Sequence, residues 1–179
     1  MTTKMRNLFP LLLLFVLATS LAFGQKTQTD YDKTYDFSQH HSYYWLKVDV
    51  VNSLWQKRVQ DEIDSELMAK GWTKGDGSGD LALSALGTTQ TKTTLNTLYS
   101  GMGGGWGWGG GMATATTVPE TYHAGTLIID FFDGQSKRLV WRSIASDTLS
   151  DKPEKNQKKL EKAVNKMLKD FPPKPKKED

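Results

Sequence analysis

The chain has 179 residues, no cysteine, three histidines, and 23 Lys+Arg against 20 Asp+Glu. A chain with no cysteine excludes disulfides, thiol chemistry and cysteine-ligated metals, and so small a charge excess gives nucleic-acid binding little electrostatic support. This length suits one domain able to bury a core without covalent staples.

Lys4 and Arg6 precede an unbroken apolar run, Leu11 to Leu17, and then the small-residue stretch Ala18, Thr19, Ser20. That is the order of a secretory signal peptide. A cut after Gly24 sets Ala22 and Gly24 at the two positions that require small side chains, and makes Gln25 the new terminus. The alternative, a membrane anchor, needs roughly 20 consecutive apolar residues. The run from Leu8 to Phe23 falls short of that and is interrupted by Pro10, Thr19 and Ser20. The expected organisation is a cleaved leader over 1–24, one domain over 25–173 and a charged, disordered tail over 174–179. Two of the basic residues leave with the leader, so the mature chain is nearly neutral. Its expected location is periplasmic or secreted.

Strands are expected in Thr27 to Phe37, around Tyr31, Tyr35 and Phe37, and in the aromatic and β-branched stretch Ser42 to Val51. Ser53 is placed as an N-cap for a helix whose apolar stripe is Trp55, Val59, Ile63 and Leu67, with Gly71 ending it. Lys74 to Gly79 reads as a turn, and Asp80 to Lys92 opens a half-buried strand through Leu81, Leu83 and Ala85.

Residues 101–112 read Gly-Met-Gly-Gly-Gly-Trp-Gly-Trp-Gly-Gly-Gly-Met. Glycine at that density loses too much backbone entropy to hold a regular element, so a loop is expected. The threonine-rich flanks, Thr88 to Thr97 and Thr114 to Thr121, predict the two arms of an antiparallel ladder with the glycines at its tip. Leu127, Ile129 and Phe131 alternate into a strong strand, and Asp133-Gly134 turns the chain into Arg138 to Ala145 as a hairpin. Pro153 starts a last helix with Leu160, Val164, Met167 or Leu168, and Phe171 on one side and lysines on the other, stopped by Pro172-Pro173. The predicted fold is α+β: an antiparallel sheet with two helices packed on one face and a long Gly/Trp-rich hairpin loop.

Several short stretches occur in an order that resembles the DUF4136 domain family of bacterial envelope proteins. They are Tyr35-Asp36-Phe37-Ser38 with Tyr44-Trp45, the helix end Glu66 to Trp72, Gly79-Asp80-Leu81, Gly125 to Asp130, Leu139-Val140-Trp141-Arg142, and Phe171-Pro172-Pro173. The resemblance covers the mature chain and implies a bacterial, exported, small α+β domain without an assigned activity. Many members look like lipoproteins lipidated on a cysteine after the leader. This sequence has no cysteine, so no lipid anchor is expected.

His40, His41 and His123 are too few and too scattered for a metal site, and no metal or other cofactor is expected. There is no Gly-x-Ser-x-Gly elbow for a hydrolase triad. Asp130 and Asp133 are candidate acid–base carboxylates for an envelope-directed hydrolase. Turn chemistry is the preferred reading of these carboxylates, for Asp133-Gly134 as a hairpin signal and for Asp80 as the cap of a strand start. Trp141 is expected in the core, and Arg142 paired with Asp130 across the sheet. The glycine tract lacks the Gly-Lys-Ser/Thr of a phosphate loop. The lysine-rich stretch Lys152 to Lys177 reads as a solvated face. Trp106, Trp108, Met102 and Met112 are the candidate contact residues, because large apolar side chains on a loop tip are costly unless buried against something. Two alternatives stand: the loop covers the open face of its own sheet, or it meets an envelope protein, a glycan or a membrane surface. A non-catalytic binding or structural module is the preferred function, with no nucleic-acid partner.

Overall fold

A computed structural model describes residues 25–100 and 114–174. The leader 1–24, the Gly-Trp segment 101–113 with Met102, Trp106, Trp108 and Met112, and the tail residues 175–179 lie outside that range. The strands are β1 (Lys26–Tyr31), β2 (Ser42–Asp49), β3 (Thr73–Lys74), β4 (Leu81–Ser100), β5 (Thr114–Asp133) and β6 (Leu139–Thr148); the helices are α1 (Ser53–Ala69) and α2 (Pro153–Leu168). The strands form one sheet in the order β1-β6-β5-β4-β2-β3.

The sheet is mixed, which corrects the antiparallel expectation. β2 runs parallel to both β3 and β4, while the β1–β6, β6–β5 and β5–β4 pairs are antiparallel. The cause is α1: a helix between two strands carries the chain back to its starting edge, so the next strand runs in the same direction as the last.

Alternation decides which face is buried. Leu81, Leu83 and Ala85 of β4, Leu127, Ile129 and Phe131 of β5, and Trp141 and Ala145 of β6 point to one side, where they meet Val59, Ile63 and Leu67 of α1 and Leu160, Ala163, Val164, Met167 and Leu168 of α2 in one core. Both Met167 and Leu168 are buried. Phe171 packs beyond the end of α2, stacked on Phe131 at 4.3 Å and edge-on to Trp141 at 5.3 Å. It fills the core end as part of the chain that leaves the helix, not as a fourth position of the helical stripe.

α1 is capped by Asn52, whose side chain accepts from the Trp55 amide at 3.0 Å, rather than by Ser53. Its other end follows the expectation. Gly71 at φ +85° lets its amide reach the Met68 carbonyl and the Trp72 amide reach that of Leu67, satisfying carbonyls that a helix end leaves free. The first predicted strand is shorter than expected: Asp36 caps a single 3₁₀ turn at Phe37–Gln39 instead.

β4 and β5 are each twenty residues long, and their pairing runs unbroken from Leu81↔Asp133 to Ser100↔Thr114. β2 leaves β4 at Leu86 and β6 leaves β5 at Ala124. Beyond Gln90↔Ala124 the two strands continue alone as a ribbon, with Thr91 beside His123 and Thr93 beside Thr121.

Candidate functional site

At the root of this ribbon an apolar cleft of about 180 Å³ lies over the sheet, lined by residues of both helices. Its floor is made by Gly87 of β4, Gly125 and Leu127 of β5 and Ala145 of β6; its sides are Val50, Val51, Trp55 and Val59 on one hand and Leu149, Leu160 and Ala163 on the other. The two glycines build it by close approach. A Cβ on Gly87 would meet Val50 Cγ1 at 2.8 Å, and one on Gly125 would meet Leu149 Cδ2 at 2.8 Å. Each missing side chain thus lets one wall residue lie against the strand.

Several polar groups around the cleft are already engaged, and Thr88 and Thr89 line it as well. Asn156 receives the Ser150 amide at 2.8 Å and donates to the Ser150 carbonyl at 2.7 Å. Gln25 donates to the Lys159 carbonyl at 2.9 Å, and the Lys159 ammonium bonds the Thr148 carbonyl with Asp147 3.4 Å away. Apart from Thr88, Thr89 and the Thr126–Ser146 hydroxyl pair, the wall that remains for a ligand is hydrocarbon and indole. Val51, on the lining, is 72% exposed.

The candidate carboxylates lie elsewhere. Asp130 is buried at 8% exposure on the sheet face opposite the helices, clamped by the Arg142 guanidinium through Nε and Nη2, both at 2.7 Å. This is the predicted cross-strand pair, and it holds Asp130 as an acceptor of two charge-assisted bonds. Asp133, in the β5–β6 turn, accepts from the Ser136 amide at 2.6 Å, the Ser136 hydroxyl at 2.7 Å and the Tyr35 hydroxyl at 2.8 Å. Those donors hold its carboxyl down to about 2, which makes it a weak base and no acid near neutral pH. Asp80 accepts the His41 and Ser42 amides, both at 2.9 Å, and the Ser42 hydroxyl at 2.7 Å, tying the start of β2 to the start of β4. The His41 amide first, then the Ser42 hydroxyl and amide, lower its pKa in the same way. None of the three carboxylates lines the cleft.

The histidines sit in separate surroundings. His40 stacks on Tyr35 with ring centres 5.0 Å apart, His41 lies 6.3 Å from the Trp72 ring, and His123 sits on the ribbon beside Thr91. Among the described residues no three His, Cys, Asp or Glu side chains are grouped to hold a metal.

The architecture is that of a two-layer α+β domain, both helices on one face of a mixed sheet, from which one hairpin extends as a ribbon. The sequence matches the profile of DUF4136, a domain of unknown function, over residues 27–173, and the chain belongs to that family. No curated protein matches it. Among solved structures it is similar to a PDZ domain protein from Parabacteroides distasonis, with 14% identity and a TM-score of 0.53 over 83% of this chain and 35% of that one. It thus spans about a third of that protein's length. It is also similar to the PelC dodecamer from Paraburkholderia phytofirmans (9% identity, TM-score 0.47, 81% of this chain and 95% of that one) and to a minor lipoprotein from Acinetobacter baumannii (10%, 0.36, 74% and 93%). At 14% identity the likeness to the PDZ domain protein is one of fold. No helix among the described residues is long and apolar enough to cross a membrane.

Proposed function

We propose that the chain is a non-catalytic binding module of the bacterial envelope, exported by its leader and presenting Trp106 and Trp108, with Met102 and Met112, to an envelope protein, a glycan or a membrane surface. One observation carries this reading: the β4–β5 ladder continues for ten residue pairs, Thr91↔His123 to Ser100↔Thr114, after both neighbouring strands have ended. At 3.3 Å per residue that is about 33 Å of ribbon. A two-stranded ribbon of this length is only marginally stable by itself and adds nothing to the buried core of the described residues. What it does is hold the ends of segment 101–113 away from the sheet. A ribbon whose end joins a segment with two tryptophans suits contact with something outside the domain.

The test is fractionation of cells expressing the full chain. Replacing Trp106 and Trp108 together by alanine is expected to release the protein from envelope fractions while leaving its thermal unfolding midpoint unchanged. Retention of the double variant in those fractions overturns the reading.

A further inference from the structure

The apolar cleft fits the ribbon's own cargo. Its volume of about 180 Å³ is close to that of cavities that accept one aromatic ring, roughly 150 Å³ for benzene. It is well below the roughly 300–1,000 Å³ typical of small-molecule pockets. Its walls are mostly hydrocarbon with the Trp55 indole at one side, Gln25, Asn156 and Lys159 are already paired, and Val51 on its lining is exposed. A single large ring on a partner's projecting segment suits such a site better than a polar or a bulky ligand.

The same chain carries such rings, and covalent geometry keeps them from their own cleft. Thr89 and Gly125 line the cleft, and Ser100, where the described ladder ends, is eleven residues further along β4. That is about 36 Å of strand. Trp106 lies six residues past Ser100 and Trp108 six before Thr114, so neither backbone can return more than about 21 Å even if fully extended. The cleft of a second copy has no such limit.

We propose that Trp106 or Trp108 of one copy docks in the cleft of another, between Val51, Trp55 and Leu149 over Gly87 and Gly125. This rests on the reading of the Gly-Trp segment as a contact surface and names its partner as a second copy of this chain. The contact joins two different surfaces, so it is heterologous and propagates into a closed ring or an open chain of copies rather than stopping at a two-fold dimer.

A chain without cysteine permits a direct test. Two single-cysteine variants of the full chain, Val51→Cys on the cleft rim and Gly107→Cys between the tryptophans, are mixed under mild oxidation, with a mass tag on one. The mixed disulfide is expected to accumulate well above either self-pair. In sedimentation experiments the unmodified chain is expected to self-associate, and Val51→Asp, at a position too exposed to disturb folding, or Trp106→Ala with Trp108→Ala, to weaken that association about tenfold or more, as loss of a buried aromatic anchor does. A chain that stays monomeric, a mixed disulfide no more abundant than the self-pairs, or a cleft that takes up a fluorescent acyl probe without competition from self-association overturns the proposal. If self-association is absent but the double tryptophan variant still leaves the envelope fractions, only this inference fails. If the double variant also remains in those fractions, the proposed function fails with it.

Discussion

Asp64, in the middle of α1, holds the helix to the sheet edge. Its Oδ1 accepts the Tyr43 hydroxyl and the Trp45 indole N–H, both at 2.8 Å, and its Oδ2 takes the Lys74 ammonium at 2.8 Å. Burial, and then the bond to Asp64, push the Tyr43 hydroxyl well above its ordinary pKa, so it remains a donor throughout the accessible pH range. Removing the acceptor leaves a buried phenol and a half-buried indole without a partner, which costs about 1–3 kcal/mol for each unsatisfied group. Asp64→Ala is therefore expected to lose about 2–3 kcal/mol in urea unfolding, and Asp64→Asn, which keeps one acceptor oxygen, to lose less. Equal losses for the two would show that the acceptor is not what matters. Tyr43 and Trp45 were legible as residues of an aromatic strand, and the helix as an amphipathic one. That one carboxylate serves both could not be read, because it depends on the register between two elements that the sequence separates.

At the scale of elements, the contact between α1 and α2 is apolar beneath and acidic above. Glu62 and Glu66 of α1 face Glu161 of α2, with Asn165 donating to Glu66 at 3.1 Å. Burial first, and then the charges of Glu161 and Glu66, raise the Glu62 carboxyl from its ordinary 4.5. A folded pKa above the unfolded one means that the folded state binds the proton more tightly. The associated stability is complete below the unfolded value and is lost as pH rises through the folded value. Glu62→Gln removes that loss. It is expected to raise the unfolding midpoint at pH 7 by the equivalent of a few tenths of a kcal/mol, about the size of a like-charge pair, and to give no gain at pH 4. A gain that persists at pH 4 would point to packing instead. The elements themselves were largely legible: both helices, the Asp133-Gly134 hairpin and the threonine ladder follow from periodicity and turn residues. The parallel β2–β4 pairing was not, since alternation marks a buried face without marking strand direction. The cleft also escaped, although single glycines at 87 and 125 inside long strands were a usable signal of close approach.

At the scale of the molecule, the domain divides into a body that holds the core and a ribbon that does not. Among the described residues every buried core side chain comes from the body, between Phe37 and Ala85 or between Leu127 and Phe171. The cleft lies where body and ribbon meet. Gln90 and Ala124 face each other across the ladder, so a two-residue Asn-Gly turn can close the hairpin there without altering its register. Replacing residues 91–123 by that turn is expected to leave the unfolding midpoint within a few degrees of the full chain's, consistent with a change of about 1 kcal/mol or less. It should also abolish both envelope association and self-association. A body that unfolds without its ribbon would mean that the long hairpin serves the fold rather than contact with another molecule.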